Sequence, residues 1–194
     1  MDIENLVTDP HGVIVNTWTG KANAAPWRAD ARGLAVERVK DGGEAYMESP
    51  LMPVKAGVTY VFAGDISAAG DSTTGSGGVF RPIWRDQEGN AVSDDNPNAG
   101  GASLKPNRRA IGEVTAPAGA TQMTLRIHAP LTTGKAYIMN RILVMSKPEY
   151  EQLQKLGFDY MDFTLCPLTH NGGGECRPQG HARRLARAQW VVAA

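Results

Sequence analysis

Short stretches in which apolar and polar residues alternate recur along the chain, and this pattern is typical of β-strands. The clearest example is 122–128, where Met123, Leu125 and Ile127 share one face and are predicted to lie in the core. The segment 58–66 is rich in β-branched and aromatic residues, which also favours a strand. The same reading predicts further strands at Leu34–Val39, Ala45–Glu48, Val79–Arg85, Arg109–Thr115 and Ala136–Met145.

Turn-forming residues separate these predicted strands. Asp41-Gly42-Gly43 is a strong turn signal, and it predicts that the strands on either side of it form a hairpin. Residues 16–33 show no clear period and are predicted to form a long loop. The small and polar residues of 67–77 and 91–106 predict two more loops.

One segment near the C-terminal end has the pattern of a helix. Ser146 and Glu149 have the spacing of a capping box, and Pro148 suits the first helical position. Gly157 is predicted to end the helix. An apolar stripe runs along one side, at Tyr150, Leu153 and Leu156. Many short strands and one late helix predict an all-β fold, a two-sheet antiparallel β-sandwich (jelly roll) with one short C-terminal helix.

Length and composition agree with this fold class and limit the function. The 194 residues fit one β-sandwich domain over 1–146, then the helix and a short closing segment over 147–168, and a flexible Gly/Arg-rich tail over 169–194. The 20 basic and 20 acidic side chains cancel, which argues against a nucleic-acid partner. No apolar run approaches the roughly 20 residues of a membrane span. The first residues lack the regions of a signal peptide, so synthesis in a cytoplasm is expected.

The residues give little support for catalysis or for a metal. No nucleophile elbow, zinc-protease motif or phosphate-binding loop occurs, so the chain is not expected to be an enzyme. Two late cysteines exclude a disulfide-built scaffold. Four residues near the C-terminal end could together hold zinc, although their spacing fits no zinc module we know: Cys166, His170, Cys176 and His181. A disordered basic tail, a connection to a following component and a non-native extension are alternatives for this segment.

Five segments, taken in order, resemble a known family. They are Asn5-Leu6-Val7, Thr59–Asp65, Ile83–Gly89, Ala116–Ala120 and Tyr137–Val144. Their order and spacing, over about residues 3–146, resemble carbohydrate-binding modules of the family four/nine type. The versions in minor tail proteins of actinobacterial phages and prophages are particularly similar. The resemblance implies a jelly roll that binds sugar without catalysis, carried on a virion for host-cell recognition.

The family often has a structural calcium ion, and the residues expected to hold it differ here. The opening turn reads Asp9-Pro10-His11-Gly12, and the matching position of the closing strand is Asn140, where the family usually has an Asp. Calcium prefers several anionic oxygens. No cofactor is therefore expected.

A sugar site needs flat apolar surfaces for stacking and polar groups that recognise hydroxyls. The candidate ligand-binding residues are Trp18, Trp27, Trp84 and Tyr137 for stacking, with Arg81, Arg126 and His128 for polar contacts. Strand alternation places Arg126 and His128 opposite the core, either in a groove or on an ordinary solvated face. Trp84 alternates with Phe80, which favours core packing, whereas Trp18 and Trp27 either bind ligand or cover the core.

These observations support two leading hypotheses. The first is a non-catalytic module of a phage or prophage tail protein that binds a cell-surface polysaccharide or oligosaccharide. The second is a structural virion component that contacts other phage tail proteins or its own copies, as a homo-oligomer, without binding sugar. An accessory module of a glycan-degrading enzyme is a third and less favoured alternative. The resemblance, rather than the fold alone, carries the sugar assignment.

Overall fold

A computed structural model describes residues 3–7, 10, 17–28, 33–68, 80–92, 102, 108–161, 164–165 and 183–184 of the chain. These residues form short antiparallel strands and one helix. In chain order, the elements are β1 (Ile3–Glu4), β2 (Thr19–Ala22), β3 (Ala24–Arg28), β4 (Leu34–Arg38), β5 (Ala45–Glu48), β6 (Met52–Pro53), β7 (Thr59–Ala68), β8 (Phe80–Arg85), β9 (Arg109–Thr115), β10 (Gln122–His128), β11 (Ala136–Ser146), α1 (Lys147–Lys155), β12 (Phe158–Tyr160), β13 (Thr164–Leu165) and β14 (Arg183–Arg184).

Most of the strands belong to two five-stranded antiparallel sheets. The front sheet contains β2, β5, β6, β8 and β10, and the back sheet has the order β3-β4-β11-β7-β9. Two short ladders, β1-β13 and β12-β14, lie outside the two sheets. The prediction of a two-sheet antiparallel β-sandwich (jelly roll) with one short helix after the sandwich strands is confirmed.

Strand β10 forms the centre of the front sheet. On one side, β8 pairs along it from Gln122↔Arg85 to Ile127↔Phe80. On the other side, β6 pairs with its first two residues and β5 with its last three. Ser49 fills the gap between these two partners, because its hydroxyl accepts a 2.8 Å bond from the backbone N–H of Leu125. The backbone N–H of Ser49 donates in turn to the Leu125 carbonyl at 3.0 Å.

The main core lies between the two sheets and uses one face of each strand. Met123, Leu125 and Ile127 are fully buried there, so the alternation predicted for 122–128 is confirmed. Phe62 of the back sheet meets Phe80 of the front sheet edge to face, with ring centroids 5.3 Å apart. This packing directs the other face of β10 away from the core.

Helix α1 covers part of the outer face of the back sheet. Tyr150 and Leu153 are its buried residues, and they pack with Ile3, Val61 and Leu143 in a second apolar cluster. The Glu149 carboxylate accepts a 3.1 Å bond from the backbone N–H of Ser146, as the predicted capping box requires.

The ends of α1 differ from the prediction in one detail. Gly157 follows its C-terminal end with φ +82°, a conformation that glycine adopts at little cost. The helix begins at Lys147, so Pro148 occupies the second helical position and not the first.

Two predictions for the first third of the chain are wrong. The segment 16–33 contains strands β2 and β3, although it lacks the alternation of apolar and polar residues that would predict them. Each pairs with a single partner strand among the described residues, and edge strands can be exposed, or carry a proline such as Pro26, without losing their pairing. The turn at Asp41 also does not close a hairpin. It carries the chain from β4 in the back sheet to β5 in the front sheet. The hairpin prediction failed because a turn signal is local and does not specify which strands pair.

Several sequence-based predictions fall outside the described residues. They include Cys166, His170, Cys176 and His181, and all of the predicted tail except Arg183–Arg184, which pairs with β12. The domain limits therefore remain predictions. In the part of the chain that the structure describes, no helix has the length and apolar character of a membrane span.

Candidate ligand-binding face

The outer surface of the front sheet brings together polar side chains from three neighbouring strands. Since the odd-numbered residues of β10 point into the core, Gln122, Thr124, Arg126 and His128 point away from it. In register with Arg126 are Arg81 on β8 and Glu48 on β5. We call this surface the front face and define it by Tyr46, Glu48, Arg81, Arg85, Gln122, Thr124, Arg126 and His128.

Arg126 lies at the centre of the front face and is held on two sides. Its Nε and Nη2 both donate to Oε1 of Glu48, at 2.9 and 2.6 Å. Its guanidinium carbon lies 3.8 Å from the ring centroid of Tyr46, within the range of a cation–π contact. These contacts position the guanidinium, and 15% of the Arg126 side chain remains exposed.

Glu48 joins a second arginine to this group. Its Oε2 accepts a 2.9 Å bond from Nη2 of Arg85, whose Nη1 also donates to the carbonyl of Gly89 at 3.0 Å. Glu48 is only 5% exposed. A carboxylate at this depth is tolerated because both oxygens are hydrogen-bonded to cations.

His128 extends the front face toward the end of β10. Its ring centroid is 5.6 Å from that of Tyr46. Burial and the positive charges of Arg81 and Arg126 lower the pKa of His128 to about 4. The imidazole is therefore neutral near pH 7, and each ring nitrogen is then either a donor or an acceptor.

Three side chains on this side of β10 have a buried polar atom without a hydrogen-bond partner among the described residues. They are Oε1 of Gln122, Oγ1 of Thr124 and Nε2 of His128. The three residues share one face of the strand. Each of the three atoms is almost fully covered, and buried polar groups in native proteins are nearly always hydrogen-bonded, so this side of β10 is polar and not a second apolar core.

The structure brings the three predicted polar residues together. Arg81, Arg126 and His128 all lie on the front face, and the outward orientation of Arg81 follows from the burial of Phe80 and Trp84 in the core.

The predicted aromatic residues lie elsewhere. Trp18, Trp84 and Tyr137 are core residues with exposures of 2%, 4% and 0%, so their rings have no face open to a ligand in this structure. Trp27 lies opposite Ala35 on β4, at the edge of the back sheet. Its indole N–H donates to Glu37 at 2.9 Å. None of these rings joins Arg126 on the front face.

The sequence reasoning missed Tyr46, Glu48 and Arg85. The alternation of β5 could have identified the first two, because Ala45 and Met47 are core residues and the residues between and after them must point outward. Nothing in the sequence shows that β5 and β8 flank β10, and this neighbourhood is what makes Glu48 the partner of Arg126.

The residues around Asn140 do not fit a calcium ion. The side-chain oxygen of Asn140 accepts a 2.7 Å bond from the backbone N–H of Arg141. The nearby carboxylate of Asp65 is held by Arg109 at 2.8 Å and by Arg141 at 2.6 Å. Two guanidinium groups thus neutralise this carboxylate, and no group of three potential metal ligands occurs among the described residues.

Comparisons with known proteins give likenesses of fold only. No protein-family model and no curated protein sequence matches the chain. Among solved structures, it is similar to the enzymatically active domain of tailspike protein 4 of bacteriophage CBA120, with 13% identity, a TM-score of 0.49 and coverage of 73% of this chain and 21% of the tailspike chain.

Two xylan-related structures have lower TM-scores. The Clostridium thermocellum xylanase 10B structure has 12% identity, a TM-score of 0.47 and coverage of 74% of this chain and 29% of its own. The CBM22-1 xylan-binding domain of Paenibacillus barcinonensis Xyn10C has 11% identity, a TM-score of 0.43 and coverage of 75% of this chain and 92% of its own. Likenesses at this level describe a related arrangement of strands and do not identify a ligand.

Proposed function

We propose that the chain is a non-catalytic module that binds a glycan through the front face. The main support is the guanidinium of Arg126, which Glu48 and the Tyr46 ring hold on the outer side of β10, where the polar side chains of Gln122, Thr124 and His128 also lie. The outer face of the back sheet, by contrast, is partly closed by the apolar packing of α1. Of the two outer faces, the front face therefore has the chemistry for a polar ligand.

Sugar hydroxyls suit this set of side chains because each hydroxyl can both donate and accept a hydrogen bond. The Tyr46 ring is already covered on one side by Arg126, which leaves little aromatic surface for stacking. We expect weak binding by one module, with a dissociation constant in the high micromolar to millimolar range.

We further propose that the module acts on the tail of a phage or prophage, where it holds a polysaccharide of the host-cell surface. This part of the proposal rests on the resemblance of residues 3–146 to modules of minor tail proteins. Several copies on one particle would convert weak binding into firm attachment, because linked sites bind with a high effective concentration. Other tail proteins would then be its protein partners.

A glycan array probed with the full chain tests the proposal. We expect saturable binding to a defined glycan, and loss of that binding in Arg126→Ala, with thermal melting used to show that the variant is folded. Lys147→Ala is the matched control, because Lys147 is a cation on the opposite side of the sandwich and pairs with Glu113. Binding lost in Trp27→Ala instead would place the ligand at the back-sheet edge, and binding to no glycan would contradict the proposal.

One observation favours the structural alternative, a virion component that contacts proteins and binds no sugar. A groove of about 310 Å³ lies between β9 and α1, lined in part by Val61, Ile111 and Tyr150. Ile111 is 49% exposed, and exposed apolar surface of this kind can contact a protein. Under this alternative, light scattering shows a multimer that Ile111→Asp dissociates, and the glycan array is blank.

A further inference from the structure

We infer that the glycan bound by the front face is acidic, with carboxylate or phosphate groups that meet the guanidinium groups around Arg126. This inference rests on the proposed function, and it names the chemical class of the ligand.

The first argument is the charge of the described front face. Arg85 and Arg126 share the single carboxylate of Glu48, and the guanidinium-bearing Arg81 lies opposite Arg126 in register. The group formed by Arg85, Arg126 and Glu48 thus has two cations and one anion. Two exposed residues at the edge of the front face, Lys21 opposite Tyr46 and Glu44 just before β5, have opposite charges and cancel. A positive excess in a partly buried surface favours anionic ligands.

The second argument is the geometry of the arginines. The planar guanidinium fork matches carboxylate and phosphate oxygens, and an arginine held in place loses less entropy when it binds. Arg126 is held by Glu48 and by the Tyr46 ring, and Arg85 by Glu48 and by the Gly89 carbonyl. Their side chains remain 15% and 20% exposed, so each retains some surface that a ligand can reach.

The third argument is the lack of an open stacking platform among the described residues of this face. Its aromatic ring, Tyr46, is covered on one side by Arg126, and Ile83, opposite Thr124, is aliphatic. A neutral sugar bound mainly by stacking would find little flat apolar surface here. The partly exposed side chains of Gln122 and His128 can instead contact the hydroxyls of a sugar whose acidic group contacts the arginines.

A matched pair of polysaccharides tests the inference. The full chain is titrated by calorimetry with polygalacturonate and with its fully methyl-esterified form, which has the same backbone without the charge. We expect polygalacturonate to bind and the ester to bind at least about tenfold more weakly, since charge-assisted hydrogen bonds are roughly twice as strong as neutral ones. Poly(glycerol phosphate) is titrated in parallel, and binding to it alone would identify phosphate as the acidic group.

Two variants show whether the arginines are responsible. Arg126→Gln should weaken binding of the acidic polymer about tenfold or more, and Arg126→Lys should weaken it less because the charge is kept. Lys147→Gln, which removes a cation far from the front face, should leave binding unchanged. Equal losses in Arg126→Gln and Lys147→Gln would mean attraction to net charge alone and would overturn the inference.

The outcomes also separate this inference from the proposed function. If neutral xylan and the methyl ester bind as well as polygalacturonate, and Arg126→Gln abolishes all three interactions, the module binds glycans but the acidic specificity is wrong. If no polysaccharide binds, charged or neutral, the proposed function itself fails. Binding of polygalacturonate that is retained in Arg126→Gln would place the acidic site elsewhere and would overturn the inference.

Discussion

The outer faces of the two sheets are both partly covered, but by different chemistry. Helix α1 covers the back sheet through apolar contacts among residues such as Leu143, Tyr150 and Leu153. On the front sheet, Arg126, Glu48 and their neighbours cover one another through ion pairs. Apolar burial is non-directional and independent of pH, whereas each buried charge needs its own partner. The front face should therefore respond to pH, salt and ligands, and the back face should respond mainly to changes of volume.

The largest expected effect is on the back face. Leu153→Ala removes a fully buried side chain from the contact between α1 and the back sheet. It should lower the free energy of unfolding by about 2–5 kcal/mol, through lost transfer energy and the cavity left behind. Urea unfolding measures this. Leu156→Ala in the turn after the same helix is the control, because Leu156 is 49% exposed and should change stability by less than about 0.5 kcal/mol.

Next in size is the loss of the shared carboxylate of the front face. Glu48→Gln leaves Arg85 and Arg126 without their anionic partner and should destabilise the protein by about 3 kcal/mol. Glu113→Gln makes the same chemical change at an exposed pair, with Lys147, and should cost less than about 1 kcal/mol. Equal effects in urea unfolding would show that the front-face charges are solvated like ordinary surface charges.

A smaller effect depends on pH. Because the folded protein holds the pKa of His128 at about 4, below its ordinary value of 6.5, the unfolded chain binds a proton first as the pH falls. The stability due to neutral His128 is complete above pH 6.5 and is lost as the pH falls to about 4, by at most about 3 kcal/mol. Unfolding followed at several pH values should show a shallower loss for His128→Gln than for the unchanged protein. Parallel curves would mean that His128 titrates normally.

The smallest predicted effect concerns the start of α1. Ser146→Ala removes the hydroxyl of the capping box and should lower the free energy of unfolding by about 1 kcal/mol. Since the helix lies on the back face, glycan binding per folded molecule should not change. A change in glycan affinity in this variant would show that the two faces are coupled.

The predictions from the sequence succeeded where the burial of one face gives a periodic pattern of apolar residues along the chain. Strand β10 has one fully buried face, so its bounds and its core residues could be predicted from alternation alone. Strand β2 is exposed along most of its length, and an exposed edge strand has no apolar period to detect. The turn at Gly42 was also recognised correctly, but a turn signal contains no information on which sheet the chain joins next.

The same limit applies to the candidate site. Alternation predicted that Arg126 and His128 point outward, since a strand must turn its polar residues away from the core. Alternation could not distinguish core aromatic residues from ligand-binding ones, because a tryptophan uses the same apolar surface to stabilise a core and to bind a sugar. Trp18 and Trp84 lie in the core, and Trp27 lies at the edge of the other sheet.

By itself, the sequence determined the fold class, most strands of the sandwich, the capped helix and the outward orientation of Arg126. These features depend on residues close together in the chain, where period and turn chemistry act. Only the tertiary structure decided that β5 and β8 flank β10, and so that Glu48, Arg81 and Arg85 surround Arg126. The physical reason is that pairing between strands far apart in the chain depends on how the whole core packs, and no local pattern contains that information.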